Sequence, residues 1–256
     1  TRSATRPARR WRKGSPLAPA EREPCELLEW DTEFWGKRIG RVDDGPLDTA
    51  RSDAVDAWAD ANAVDCLYFL AAGDDPASAH VAEAAGFRQM DVRVALACPV
   101  RTGSLAEAVR EAREDDAEVL RAIAASSYGT TRFYADPNFP DERCDALYDT
   151  WIRRSLEGWA DGVLVGEADG RAAGYVSCHL DGGTGSIGLI AVDESARGRG
   201  LGVDLASSAI TWCAARGADH MTVVTQGRNV SALRTFQRAG FLASSLDLWF
   251  HKWYRR

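Results

Sequence analysis

The chain has 256 residues, of which 45% are hydrophobic and 27% are charged, a composition typical of an ordinary globular domain with enough apolar side chains for a core. Its formal net charge of −7 argues against a general nucleic-acid-binding protein, whose binding surface is basic. No apolar run approaches the roughly 18 residues that a membrane-spanning helix needs, so we expect no membrane and no nucleic-acid partner.

The cysteines and histidines show no metal-ligand pattern. The six cysteines are scattered and no pair has C-x-x-C spacing, and the four histidines share no ligand spacing with them. We therefore expect free thiols, a cytoplasmic location and no metal site.

Residues 1–24 carry many basic side chains, including Arg9 and Arg10. The apolar segment of a secretory signal does not follow them. The pattern predicts a disordered basic tail.

Residues 25–100 alternate short strands and helices. The apolar run CLYFLA at 66–71 is typical of a buried strand. The predicted strands are 26–30, 38–42, 66–71 and 88–97, the predicted helices are 49–62 and 78–85, and 31–36 is a predicted turn.

A proline and a glycine within 99–104 predict a linker to a second unit, residues 105–256. There the predicted helices are 105–127, 144–159, 201–216 and 230–239, the predicted strands are 163–167, 172–180, 187–192, 221–226 and 246–254, and 128–141 is a predicted loop. We expect two α/β domains, with a mixed, mostly antiparallel sheet in each.

Two stretches of the chain resemble each other. Ala85-Gly86-Phe87 and Ala239-Gly240-Phe241 each follow a strand and a short helix and each lead into a strand of alternating polarity. The pattern predicts that the N-terminal unit is a partial copy of the C-terminal one. The partial copy has no glycine-rich loop, so an anion site belongs to the C-terminal half.

The glycine-rich loop lies in SIGLIAVDESARGRGLG, residues 186–202, between a predicted strand and a predicted helix. Glycines let backbone amides approach an anion, and a helix N-terminus favours negative charge. A P-loop would end in Gly-Lys-Ser/Thr, which is missing. In a dinucleotide fingerprint the third glycine would come one residue later and an acid would end the next strand, whereas Asp219 precedes it.

The third interpretation is Arg-x-x-Gly-x-Gly, formed by Arg197, Gly200 and Gly202. With the later stretch NVSALRTFQRAGF, residues 229–241, it resembles the two coenzyme A motifs of the GNAT superfamily of acyltransferases. The segments SYGTTRFYADPNFP, LYDTWIRRSLEGW and LDLWFHKWY are similar to those of dTDP-fucosamine acetyltransferases and their relatives. The resemblance implies a GNAT fold with a truncated GNAT-like domain at 25–100, a complete domain at 105–256, and a homodimer.

The resemblance implies acetyl-coenzyme A as the acyl donor. The strand residues Ile190, Ala191 and Val192 would line the pantetheine, which would lie between two splayed strands. The loop would hold the pyrophosphate through Arg197, Gly198, Arg199, Gly200, Leu201 and Gly202, and the next helix would add Asn229, Ala232 and Phe236.

Phe236 stands where relatives have a tyrosine that serves as general acid. Phenylalanine donates no proton. Three outcomes stay open: Ser231, Thr235 or a water substitutes, the thiolate leaves unaided, or the enzyme is slow or inactive.

The acceptor site is expected between the N-terminal segment and the loop 128–141, with Tyr128, Arg132, Phe133 and Tyr134 as substrate-binding residues. The predicted function is transfer of acetyl to the amine of a dTDP-linked amino-deoxy sugar. The alternatives are transfer to another small amine, such as a natural-product intermediate or an amino acid, and a non-catalytic coenzyme A-binding protein.

Overall fold

The computed structural model of the chain describes residues 23–255. Its strands are β1 Cys25–Leu27, β2 Ile39–Val42, β3 Cys66–Ala72, β4 Arg88–Pro99, β5 Val109–Glu111, β6 Gly162–Ala168, β7 Arg171–Asp181, β8 Thr184–Val192, β9 His220–Gln226 and β10 Leu242–Trp253. Its helices are α1 Glu29–Trp35, α2 Thr49–Ala61, α3 Pro76–Ala84, α4 Ala117–Ser127, α5 Arg132–Ala135, α6 Asp141–Arg154, α7 Leu201–Ala214 and α8 Val230–Ala239. The predicted basic tail falls almost wholly outside the described residues.

These strands form one sheet in the order β1-β2-β3-β10-β4-β9-β8-β7-β6-β5. The pairs β2–β3 and β8–β9 are parallel and the other pairs are antiparallel. The mixed, mostly antiparallel sheet with flanking helices confirms the predicted fold class. The expectation of a separate sheet in each half is wrong, because the last strand, β10, lies between β3 and β4.

The internal repeat is visible in the element lengths. The units β3-α3-β4 and β9-α8-β10 both begin with a strand of 7 residues and end with a strand of 12 residues. Equivalent residues of the two units lie 154 residues apart in the sequence. Arg93 in β4 and Asp247 in β10 are one such pair.

The two units exchange their second strands. β10 pairs with β3 and β4 pairs with β9, and the register is the same in both cases, with Asp247 opposite Ala72 and Arg93 opposite Gln226. The exchanged strands then pair with each other, where Arg93 and Asp247 form an ion pair at 2.6 Å. The two halves therefore share one sheet.

The partial copy has an acidic loop where the C-terminal half has its glycine-rich loop. Asp43, Asp44 and Asp48 lie between β2 and α2, and carboxylates there repel an anion. The N-terminal caps of the equivalent helices α3 and α8 are alike. Asp75 accepts a hydrogen bond from the Ser78 amide at 3.1 Å, and Asn229 accepts one from the Ala232 amide at 3.1 Å.

Three apolar clusters hold the sheet. The α7/α8 face contains Val176, Leu205 and Phe236, and the α4/α6 face contains Leu147 and Tyr175. Neighbouring residues of a strand point to opposite faces, so these two clusters lie on either side of the sheet. A third cluster lies under α2 and α3.

Several element predictions are wrong. The predicted turn at 31–36 is helix α1, which Gly36 ends with a φ of 63°. The predicted helix at 105–127 contains strand β5 and a short 3-10 turn before α4, and the predicted loop at 128–141 contains the one-turn helix α5. The predicted helix at 144–159 begins earlier, at Asp141, and changes to a π-helical turn at Ser155.

Candidate active site

A wedge opens between the parallel strands β8 and β9. Their last paired residues are Ile187 and Val223, although β8 continues to Val192 and β9 to Gln226. A bulge displaces β7 against β8 here, and the Leu189 amide donates to Ser177 Oγ at 2.8 Å. Beyond the last pair, each strand presents a free edge to the other.

Gly188 is the first β8 residue in the open part of the wedge. A Cβ atom at this position would collide with the His179 ring and with Ser177 Oγ. A larger residue there would require the His179 ring and the Ser177 side chain to move.

The glycine-rich loop closes the wide end of the wedge. Arg197 Nε donates to the Val192 carbonyl at 3.1 Å, which folds the loop back onto β8. Gly198 and Gly200 have φ values of 78° and 93°, in the left-handed region that glycine enters without strain. The Gly200 carbonyl accepts from the Val203 and Asp204 amides and thereby begins α7.

The amides of residues 198–202 form the candidate anion cradle. None of the described residues accepts a hydrogen bond from these five consecutive N–H groups. The first N–H groups of any helix lack intrahelical partners and carry partial positive charge. This cradle therefore suits a phosphate or pyrophosphate at the N-terminus of α7.

The two arginines of the loop differ in their contacts. Arg199 forms a two-pronged pair with Asp169 at 2.8 and 3.0 Å, and its hydrogen bonds lower the pKa of that carboxyl. Both side chains are largely exposed, so the pair stabilises the fold little. Coenzyme A binding by Arg197 and Arg199 stays a prediction.

Helix α8 lies beside the cradle. Asn229 caps it through Oδ1, and Thr235 lies so close to Gly202 that a Cβ there would come within 3.3 Å of its methyl group. Phe236 is 1% exposed and packs edge-on against Phe241 at 5.8 Å, on the α7/α8 face. Ser231 is exposed and Ala232 is half-buried, and their predicted roles stay predictions.

The predicted acceptor residues lie on the α4/α6 face and differ in exposure. Phe133 is buried at 5% exposure against Trp35, so its ring supports the core. Tyr134 donates to Asp145 at 2.5 Å, and burial, with this contact, raises its pKa. Tyr128 is half-buried and its hydroxyl lies 3.1 Å from that of Tyr175.

Arg132 is held in an aromatic cage that joins both halves of the chain. Its guanidinium carbon lies 4.1 Å from the Trp249 ring centre and 4.3 Å from that of Tyr68. Its Nη1 lies 3.2 Å from His251 Nε2. The cage fixes a positive charge on the α4/α6 face.

His251 is in turn oriented by Asp136. Its Nδ1 lies 2.7 Å from Asp136 Oδ2, and Trp253 Nε1 donates to the same oxygen at 2.8 Å. Burial lowers the pKa of His251 to about 4. At neutral pH the ring is therefore neutral, with Nδ1–H donating to Asp136 and Nε2 accepting from Arg132.

Asp91 is a candidate that sequence reasoning missed. It lies on β4 and is 4% exposed, with Oδ1 accepting from the Val92 amide at 2.9 Å and lying 3.5 Å from Arg228 Nε. Burial raises its pKa, while the Val92 amide and the charges of Arg228 and Arg132 act in the opposite direction. A buried carboxylate of raised pKa suits proton acceptance.

Comparisons with known proteins agree with this geometry. The family model described as Acetyltransferase (GNAT) family matches residues 129–241, which include the wedge, the cradle and α8. The dTDP-fucosamine acetyltransferase of Escherichia coli O6:H1 is 30% identical over 237 residues, which are 90% of this chain and 99% of that protein. The chain belongs to the GNAT family of acetyltransferases.

Further similarities cover less of the sequence or the fold alone. A mycothiol acetyltransferase of Clavibacter sepedonicus is 28% identical over 70% of this chain and 60% of its own length. A GCN5-related N-acetyltransferase from Sphaerobacter thermophilus superposes with a TM-score of 0.63 at 16% identity, over 91% of this chain and 76% of that one. This GNAT chain therefore has the fold of its family and is an acyltransferase.

Two further findings concern the described residues 23–255. Within them, no group of three or more His, Cys, Asp or Glu side chains is arranged to hold a metal ion. In the same part of the chain, no helix combines the length and the apolar character that crossing a membrane requires.

Proposed function

We propose that this GNAT acetyltransferase uses acetyl-coenzyme A to acetylate the amine of a dTDP-linked amino-deoxy sugar. The main support for acetyl-coenzyme A as the donor is the row of five amides at residues 198–202, at the open end of the wedge. None of the described residues accepts a hydrogen bond from them. Acetyl-coenzyme A supplies an activated acyl group. The residues present fit it: the cradle for its pyrophosphate, and the free edges of β8 and β9 for the amides of pantetheine.

Asn229 can both cap helix α8 and contact the donor, because the two roles use different atoms of its side chain. Its Oδ1 accepts from the Ala232 amide. Its Nδ2, which donates to none of the described residues, is left to bond pantetheine. The predicted roles of capping and binding are therefore compatible in one side chain.

The nucleotide-sugar acceptor is favoured by the extent of the similarity. The alignment with the dTDP-fucosamine acetyltransferase runs through both halves of this chain, and both halves build the acceptor face: Asp91 comes from the N-terminal half, and Arg132 from the C-terminal one. A fixed guanidinium suits the diphosphate of such a substrate.

Asp91 is the proposed acceptor of the amine proton. The amine must lose a proton as its nitrogen bonds the acyl carbon. Asp91 stands near Arg132, which contributes to its electrostatic environment, and a raised pKa makes its carboxylate a stronger base. A cytoplasmic location and a homodimer stay predictions.

The test is thiol release from acetyl-coenzyme A with a panel of acceptors. The panel holds dTDP-4-amino-deoxy sugars, the same sugars without the nucleotide, small amines and amino acids. The matched control is the dTDP-sugar with a hydroxyl in place of the amine. We expect the highest kcat/KM with a dTDP-amino sugar and no release with the control.

Other outcomes contradict the proposal in different ways. Faster release with amines that lack a nucleotide would favour an acyltransferase for another small amine. Binding of acetyl-coenzyme A without release for every acceptor would favour a non-catalytic coenzyme A-binding protein.

A further inference from the structure

Arg132 is a half-buried cation that no carboxylate of the described residues neutralises. The rings of Tyr68, Phe133 and Trp249 flank its guanidinium. Within residues 23–255 the guanidinium makes one hydrogen bond, from Nη1 to His251 Nε2. A partly buried charge without a counter-ion is unfavourable. This setting therefore favours an anionic ligand, and the other N–H groups of Arg132 are the donors that such a ligand would use.

His251 is the side chain that holds Arg132 in place. Its Nε2 lies 3.2 Å from Arg132 Nη1, and its ring centre lies 4.7 Å from that of Tyr68. Its Nδ1 lies 2.7 Å from Asp136 Oδ2, and both of these side chains are fully buried. Asp136 is itself fixed by the Asn138 amide, which donates to its Oδ1 at 3.0 Å. The orientation of the imidazole is therefore determined at both nitrogens.

The imidazole also separates the carboxylate of Asp136 from the guanidinium of Arg132. At neutral pH the ring is uncharged, because burial lowers the pKa of His251 to about 4. A carboxylate in direct contact with a guanidinium forms a two-pronged ion pair and compensates its charge. A neutral acceptor instead fixes one nitrogen of Arg132 and leaves the positive charge available to a ligand.

We propose that His251 and Asp136 are positioning residues for Arg132, whose guanidinium binds the diphosphate of the acceptor. The inference rests on the proposed function. Nη1 of Arg132 stays on His251, and the remaining N–H groups donate to oxygens of the diphosphate, a planar donor set that suits such a ligand. His251 does not touch the substrate and acts through Arg132 alone.

The first test measures the Kd of dTDP, the nucleotide without the sugar, by calorimetric titration of the full chain. His251→Phe keeps a ring at this position and removes both nitrogens. We expect dTDP to bind about tenfold more weakly to this variant, because the guanidinium loses the hydrogen bond that orients it. The Kd of acetyl-coenzyme A is expected to stay unchanged, because the wedge and the cradle do not include His251.

Trp253→Phe is the matched control. Trp253 Nε1 donates to the same oxygen of Asp136 as His251 does, at 2.8 Å, and Trp253 makes no hydrogen bond to Arg132. Both variants remove one hydrogen bond from Asp136, so both are expected to lower the free energy of unfolding. Only His251→Phe is expected to weaken dTDP binding. A purely structural role of the pair would affect both variants alike.

A second measurement needs no variant. Nuclear magnetic resonance of the unaltered chain with labelled histidine rings follows Nδ1 and Nε2 of His251. We expect saturating dTDP to shift the Nε2 signal, because the Arg132 donor on that nitrogen responds to the anion. Thymidine, which has no phosphate, is the control and is expected to leave the signal in place. An Nε2 signal that dTDP does not move contradicts the inference.

The outcomes separate this inference from the proposed function. Equal Kd values for dTDP in His251→Phe and Trp253→Phe overturn the positioning role, even in an enzyme that acetylates dTDP-amino sugars. Weaker dTDP binding in His251→Phe alone, in a protein that acetylates no dTDP-amino sugar, supports the positioning role and contradicts the proposed function. A full chain that does not bind dTDP contradicts both.

Discussion

Asp91 and Asp247 are two carboxylates on neighbouring strands in different surroundings. Asp91 is 4% exposed and its charged neighbour, Arg228, lies 3.5 Å away. Asp247 forms an ion pair with Arg93 at 2.6 Å, and its side chain is more exposed than that of Asp91. A close ion pair holds a carboxylate in its charged form, whereas burial opposes that form. Only Asp91 has the surroundings of a proton acceptor.

Replacement of Asp91 tests this difference. A general base contributes roughly 10²–10⁴-fold, so we expect Asp91→Asn to lower kcat by about 10²-fold. In the unaltered enzyme the rate rises with pH through the raised pKa of Asp91, because the ionised form is active, and this limb should vanish in the variant. The measurement is the pH profile of kcat, with Asp247→Asn as control. A limb that persists in Asp91→Asn would contradict the assignment.

The sequence predicted some of these residues and missed others for a physical reason. The cradle from Gly198 to Gly202 is local, since glycine spacing before a helix determines where its amides lie. Asp91 reaches the face of the sheet that carries Arg132 only because sheet pairing brings β4 beside β10. No local pattern reports such a meeting, and Phe133, predicted to bind the substrate, is buried in the core.

Helix α7 and the loop before it form the proposed donor site. Gly200 at its start has a φ of 93° and Gly217 beyond its end has a φ of 88°, and a Cβ at either would meet no atom within 4 Å. The two positions therefore carry the same backbone strain with a side chain and differ only in their distance from the cradle.

This symmetry provides a matched pair of variants. A left-handed residue costs roughly 1–2 kcal/mol with any side chain, so Gly200→Ala and Gly217→Ala should lower the free energy of unfolding alike. Only Gly200→Ala should also weaken acetyl-coenzyme A binding, by about tenfold or about 1.4 kcal/mol, because it shifts the amides of the cradle. Calorimetric titration measures the Kd. Equal Kd values for the two variants would argue against a cradle at this loop.

Elements with strong periodicity were predicted well and short elements were not. The repeated strand, helix and strand around Gly86 and Gly240 have clear alternation and glycine stops. Strand β5, Val109–Glu111, is only 3 residues long and exists because it pairs with β6 at the sheet edge. Its sequence favours helix, and the long-range pairing overrides that preference.

At the scale of the molecule, the last strand connects both halves to the predicted acceptor loop, residues 128–141. β10 pairs with β3 and β4 and carries His251, which contacts Asp136 in the loop after α5. Burial raises the pKa of Asp136, but hydrogen bonds from His251, Trp253 and the Asn138 amide outweigh it and hold the pKa at about 2. The pKa of His251 is lowered to about 4 by burial.

These shifts predict acid destabilisation of the whole fold. The unfolded chain protonates its histidines near pH 6.5, whereas folded His251 stays neutral down to about 4. Stability is therefore lost as pH falls from about 6.5 to about 4, by roughly 3 kcal/mol, and Asp136 adds a loss from about 3.9 down to its own pKa of about 2.

Urea unfolding at pH 7 and at pH 4 measures this loss. We expect His251→Gln to be less stable at pH 7 and to have a smaller difference between the two pH values. His220→Gln, which removes an exposed imidazole hydrogen-bonded to Thr184 at 3.0 Å, should keep the full difference. The same pH dependence in both variants would contradict the role given to His251.

The central claim is that the wedge brings an acyl donor and a sugar amine together. Nuclear magnetic resonance tests it most directly, by following the labelled carbonyl of acetyl-coenzyme A in the presence of the full chain and a dTDP-4-amino-deoxy sugar. The predicted result is an amide signal in which the labelled carbonyl couples to the proton on the sugar carbon that bears nitrogen. A label that stays on coenzyme A, or appears as free acetate, would contradict the account.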